Sequence, residues 1–128
     1  MAYYFAKTVP LGFDEAVQHA TEALKQQGFG MISEIDVKQT LKSKIGVDFR
    51  KYRILGACNP KLAHEALQLE DKIGTMLPCD VVVQEAGDHL TEIAAIDPVA
   101  SMAAVDNPRL KEAARRVQAM LAKAIDAL

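Results

Sequence analysis

Tyr52-Arg53-Ile54-Leu55-Gly56-Ala57-Cys58-Asn59-Pro60-Lys61-Leu62-Ala63-His64 reads as a strand that runs straight into a helix, with a thiol at the junction. Side chains alternate along an extended chain. Tyr52, Ile54, Gly56 and Cys58 therefore share one face, and Arg53, Leu55 and Ala57 the other. Asn59 is a favourable N-cap, and Pro60 stands at the first helical position, where its missing N–H costs nothing. Cys58 then lies beside unpaired backbone N–H groups and the positive end of the helix dipole. Such a place activates a thiol or attracts an anion. His64, one turn into the helix, is near enough to influence that thiol. Gly56, with no side chain, leaves room for a ligand along the same strand face.

Downstream, the helix opened by Asn59-Pro60 carries Leu62, Ala66, Leu69 and Ile73 on one face and is expected to end at Gly74. Met76-Leu77-Pro78-Cys79 turns into Asp80–Glu85, a strand whose valine run suits the interior of a sheet. Ala86-Gly87-Asp88-His89 is a tight hairpin connection, with residues 90–96 as the antiparallel partner. Asp97-Pro98 and Asn107-Pro108 repeat the cap-plus-proline device. The first opens a short turn through Met102 and the second the last helix. In that helix Leu110, Ala114, Val117, Leu121, Ala124 and Leu128 alternate spacings of four and three. Ala113, Met120 and Ile125 widen the stripe beyond a coiled-coil seam, so this helix should lie on the sheet as its main cover.

Upstream, residues 2–9 form a first strand that stops at Pro10. Phe13, Val17, Ala20 and Leu24 recur at helical spacing, and Gly28 closes the helix in a left-handed conformation. Residues 29–35 make the second strand, with Phe29, Met31 and Ile35 expected to face one way. Asp36-Val37-Lys38-Gln39 resembles a capping box, and Val37, Leu41 and Ile45 form a narrow apolar stripe ending at Gly46. Lys38, Lys42 and Lys44 read as a solvated face, with a phosphate patch as the sharper alternative; His19 also reads as solvated. The order of elements predicts one α+β domain over residues 1–128: a mainly antiparallel sheet with helices on one face.

Composition narrows the function classes. The 128 residues are half hydrophobic and a quarter charged, and the net charge is −2. Neither nucleic acid nor an anionic membrane is favoured as a partner by that balance. No apolar run approaches the ~20 residues of a membrane span, and the first residues lack the design of a secretory signal. A cytoplasmic protein with reduced thiols is expected, a Cys58–Cys79 disulfide being the alternative. Cys58, Cys79 and His64 are soft ligands that suit zinc or copper. Without C-x-x-C or H-x-x-x-H spacing, though, neither a metal nor another cofactor is expected. The P-loop, G-x-G-x-x-G, G-x-S-x-G and H-E-x-x-H patterns do not occur.

One resemblance covers almost the whole chain. Its motifs are Gly28-Phe29-Gly30, Glu34-Ile35-Asp36-Val37-Lys38, Gly46-Val47-Asp48-Phe49-Arg50, the run Tyr52 to His64, and Leu77-Pro78-Cys79-Asp80-Val81-Val82-Val83. These resemble the family named for domain of unknown function 302. The resemblance implies a small α+β domain with a sheet related to the TATA-binding-protein-like fold, and a tendency to dimerise. It implies no activity, and it assigns no role to Cys58, Asn59, Pro60, His64, Pro78 or Cys79.

Two functions from different classes remain. The first is a homodimeric module, non-enzymatic, that binds a small anionic molecule or a partner at the Cys58-Asn59-Pro60 junction, with Gly56, Cys58, Asn59, His64 and Cys79 as candidate site residues. The second is a thiol-dependent protein carrying sulfur or electrons on Cys58, the more reactive of the two cysteines. No general acid–base carboxylate pair stands out, and that favours the binding module.

Overall fold

The computed structural model describes residues 2–128. Five strands form one antiparallel sheet: β1 (Tyr4–Val9), β2 (Gly30–Asp36), β3 (Tyr52–Cys58), β4 (Cys79–Gly87) and β5 (Leu90–Ile96), in the order β1-β5-β4-β3-β2. The valine run of β4 lies at the centre, as its composition suggested. Helices α1 (Phe13–Gln26) and α5 (Pro108–Asp126) pack across one face of this sheet. The alternation along the strands shows the consequence. Leu55, Ala57, Val81, Val83, Ile93 and Ala95 are almost wholly buried toward the helices, whereas Ile54, Val82 and Ala94 on the other face are only half-buried. The fold is therefore α+β with a single helical layer.

Local signals set most element ends. Asp36, Asn59, Asp97 and Asn107 each accept a hydrogen bond from a backbone N–H in the first turn of the following helix. Each satisfies a donor that the helix leaves unpaired. Asp97 also accepts from Gln118 Nε2 at 3.1 Å, and Asn107 Nδ2 donates to the carbonyl of Leu69 at 3.0 Å. The caps thus tie α5 to its neighbours as well. Gly28 has φ 88°, and the Phe29 N–H donates back to Leu24 O while that of Gly28 donates to Lys25 O, a Schellman closure of α1.

Four expectations need correction. The first strand starts at Tyr4 rather than Ala2. In β2 the register shifts between Met31 and Ser33, so Phe29 is buried while Ile35, on the opposite face, is 49% exposed. One extra residue reverses the side-chain parity, and alternation read across it fails. The helix after Asn59-Pro60, α3, spans Pro60–Leu69, and Glu70 (φ −151°, ψ 108°) leaves the helix. Its carboxylate accepts from Lys72 N and starts a separate 3₁₀ segment, Asp71–Met76, with Gly74 inside it. Finally, α2 (Val37–Ile45) carries the expected apolar stripe but buries none of its residues. Its Lys38 and Lys42 are engaged by Phe49 O and the Asp48 carboxylate. None of the helices described is long and apolar enough to cross a membrane.

Candidate ligand pocket

Antiparallel pairing of β3 with β4 sets Ala57 opposite Cys79, which brings the last residue of β3, Cys58, beside the first of β4. Above this corner α3 and α5 approach each other, and short α4 (Pro98–Ser101) closes one side. The facing residues are small: Ala63 and Ala66 on α3, Ala113 and Ala114 on α5. Methyl groups on two helices are too short to fill the space between them. A pocket of about 300 Å³ results. Cys58, Cys79 and Phe29 line its floor, and Leu77, Met102 and Leu110 add to the walls. Asn59 is its one lining residue with a side-chain amide; carbon and sulfur make up the rest. A surface of this kind excludes ions and suits an apolar guest.

Three of the five candidate residues, Cys58, Asn59 and Cys79, meet at the pocket. Gly56 does not line it. A Cβ built on Gly56 would stand 2.1 Å from Ser33 Oγ and 2.7 Å from Pro78 Cγ. The space above Gly56 is thus occupied by the protein itself, and no ligand can approach there. His64 is exposed on the outer side of α3 and also lies away from the pocket, because a helix turns ~100° per residue and the inward positions are Leu62, Ala63, Ala66 and Leu67.

The start of α3 has little left to offer an anion. Pro60 has no N–H, Leu62 N donates to Asn59 Oδ1 at 3.2 Å, and Ala63 N donates to Asn59 O at 2.9 Å. Only the Lys61 amide stays free of an intrahelical or capping partner. The Asn59 cap that organises the helix is what consumes the anion-binding capacity.

The two thiols differ. Cys79 is buried, and burial first, then the nearby Asp80 carboxylate and Cys58, push its pKa up to about 11. It is a neutral, poorly nucleophilic thiol at pH 7. Cys58 is only half-buried and no disulfide joins the pair. Among the described residues no group of three His, Cys, Asp or Glu side chains is placed to hold a metal ion.

Sequence reasoning found the floor of the pocket and missed its walls. Helical spacing assigns Ala113, Ala114 and Val117 to the stripe covering the sheet, and Leu62 and Ala66 to the apolar face of α3, with no mark of a cavity. The signal that could have marked them is their size, since alanines recur on the inward stripes of both helices.

Fold and site together define a small α+β domain: five antiparallel strands under one helical layer, with an apolar, thiol-floored pocket at the β3–α3 junction. The family model described as Domain of unknown function DUF302 matches residues 5–128. This chain belongs to that family. The crystal structure of uncharacterized conserved protein DUF302 from Bacillus stearothermophilus is similar to it throughout, with 31% identity, 98% of each chain covered and a TM-score of 0.89. No curated protein matches the chain.

Proposed function

We propose that this protein is a small-ligand-binding module, working as a homodimer, whose guest occupies the pocket beside Cys58-Asn59-Pro60. The observation that carries this reading is the pocket itself, about 300 Å³ of apolar space between α3 and α5. What sets this groove apart is its almost wholly apolar lining, the usual character of a small-molecule site. The walls favour an apolar or weakly polar guest over the small anion that the helix start first suggested. An anion would meet one free amide at the helix start, and no cationic side chain lines the pocket. Benzene and inorganic phosphate, added separately while amide chemical shifts are followed, distinguish the two. Shifts at Ala63, Ala66 and Ala113 with benzene alone support the apolar reading. Shifts at Lys61 and Leu62 with phosphate alone support the anion instead, and no response to either removes the binding module.

A second reading has Cys58 carrying sulfur or electrons. What favours it is the placement of a half-buried thiol on the wall of an apolar pocket, where a bound guest would touch sulfur. Alkylation at neutral pH with peptide mapping tests it. Fast labelling of Cys58 that a pocket guest suppresses is the expected result. Folded protein in which Cys58 stays unlabelled leaves that thiol as core filler.

A further inference from the structure

The pocket between α3 and α5 has the proportions of a slot. Its α5 wall runs from Leu110 to Val117, which at ~1.5 Å per residue is about 10 Å along the helix axis. Ala113 and Ala114 on that wall, and Ala63 and Ala66 on α3, each stop at a methyl group. Each lacks the three carbons that a leucine would send across, so the gap is only a few carbons wide and follows the helix. A buried apolar cavity of ~150 Å³ takes up benzene, with its six carbons. At about 300 Å³ this pocket therefore has the volume of roughly ten to twelve carbons. Its length matches about eight carbons of an extended chain.

The mouth is apolar as well. Ile32 of β2 and Leu67 of α3 both line the pocket yet are 64% and 44% exposed, which places them at its opening. Ile32 is the extra residue of the β2 bulge, lying between Met31, which pairs with Ala57, and Ser33, which pairs with Gly56. A bulge re-aims a side chain out of the regular alternation, and here that side chain is an isoleucine beside the opening. Its apolar surface leaves water only when a guest covers it.

We infer that the guest is an unbranched hydrocarbon chain of about eight to ten carbons with one polar head. The tail lies along the alanine slot, the upper carbons rest against Ile32 and Leu67, and the head stays in water. This rests on the binding-module reading above and names the class of its guest. The interior has little with which to recognise a head group. Asn59 Oδ1 already accepts from Leu62 N, and no charged side chain lines the pocket. A flat ring system finds little there either, since Phe29 is the one aromatic side chain on the walls. Met102, buried and unbranched, can adapt its shape to a flexible chain.

Titration of the full chain with 1-alkanols of four to twelve carbons, followed by amide chemical shifts, tests the proposal. Each methylene buried should raise affinity about fourfold until the chain outgrows the slot near ten carbons, where affinity levels off. Alkanoates of equal length should bind within about threefold of the alkanols, and naphthalene should bind more weakly than octanol. Ile32→Ser, at an exposed position on an edge strand that should not impair folding, should weaken octanol about tenfold. It should leave the benzene-induced shifts at Ala63, Ala66 and Ala113 unchanged. Affinity that is flat with chain length, or that keeps climbing to dodecanol, overturns the chain as guest, and so does naphthalene binding tighter than octanol. A tenfold gap between alkanoates and alkanols puts the head inside the pocket and overturns this arrangement. Full octanol affinity in Ile32→Ser overturns the contact at the mouth. In each of these cases benzene-induced shifts keep the pocket as a binding site; silence toward benzene and alkanols alike removes the binding module itself.

Discussion

Asn59 caps α3 and crowds the space beside Gly28. Its side-chain oxygen caps Leu62 N, and its Nδ2 lies 3.0 Å from where a Cβ on Gly28 would stand. Asn59→Ala removes the cap and is expected to lower stability by about 1 kcal/mol, read as a shift of the denaturation midpoint. Gly56 is constrained more severely. Gly56→Ala drives a methyl into the Pro78 ring and the Ser33 hydroxyl and should cost about 1–3 kcal/mol, as overpacking does. Pairing it with Ser33→Ala should recover part of that loss, since the hydroxyl makes the shorter contact; a double variant no more stable than Gly56→Ala would mean that Pro78 alone sets the limit. Cys79 gives a pH signature. Its thiol, pushed up to about 11 by burial, stays protonated while an unfolded thiol ionises near ~8.5. Below that pH the contribution is fully present. Between it and 11 unfolding releases a proton, so stability falls as pH rises, by on the order of 2 kcal/mol. Denaturation at pH 8 and pH 10.5 should show the fall in the wild type and a smaller one in Cys79→Ala.

Among the elements, α3 and α5 make the pocket by what they lack. Leu62 and Leu110 line the space, but alanines on both helices leave it unfilled. Ala66→Leu or Ala113→Leu adds three carbons into the void and is expected to leave stability within about 1 kcal/mol, because space is waiting for them. Either variant should abolish the benzene-induced shifts. Stability that instead falls by several kcal/mol would show that the space is not available to a side chain. Helix α2 is the opposite case. Its stripe of Val37, Leu41 and Ile45 was legible, yet Ile45 is 67% exposed and the helix buries nothing. Periodicity records which face is apolar and says nothing of whether another element reaches it. Ile45→Lys should therefore change stability by no more than about 0.5 kcal/mol, as surface substitutions do.

For the molecule as a whole, amino-acid sequence alone determined the α+β class, the antiparallel sheet and the four cap-headed helix starts. These rest on short-range physics: alternation, helical spacing, and side chains that bond to backbone within three residues of themselves. It also placed Cys58 at the end of a strand and Asn59 at the head of a helix for the same reason. The order β1-β5-β4-β3-β2, the meeting of Cys58 with Cys79, and the walls that α5 contributes were decided only by tertiary structure. Each joins residues far apart in the chain, and nothing local to Ala113 or Val81 specifies its distant neighbour. The bulge in β2 was hidden likewise, since it appears only when the strand is set against β3. The candidate site changed character on folding. Read along the chain, the helix start looked like a place for an anion; in three dimensions its amides other than that of Lys61 are bonded, and the opening beside it is lined almost wholly with carbon and sulfur.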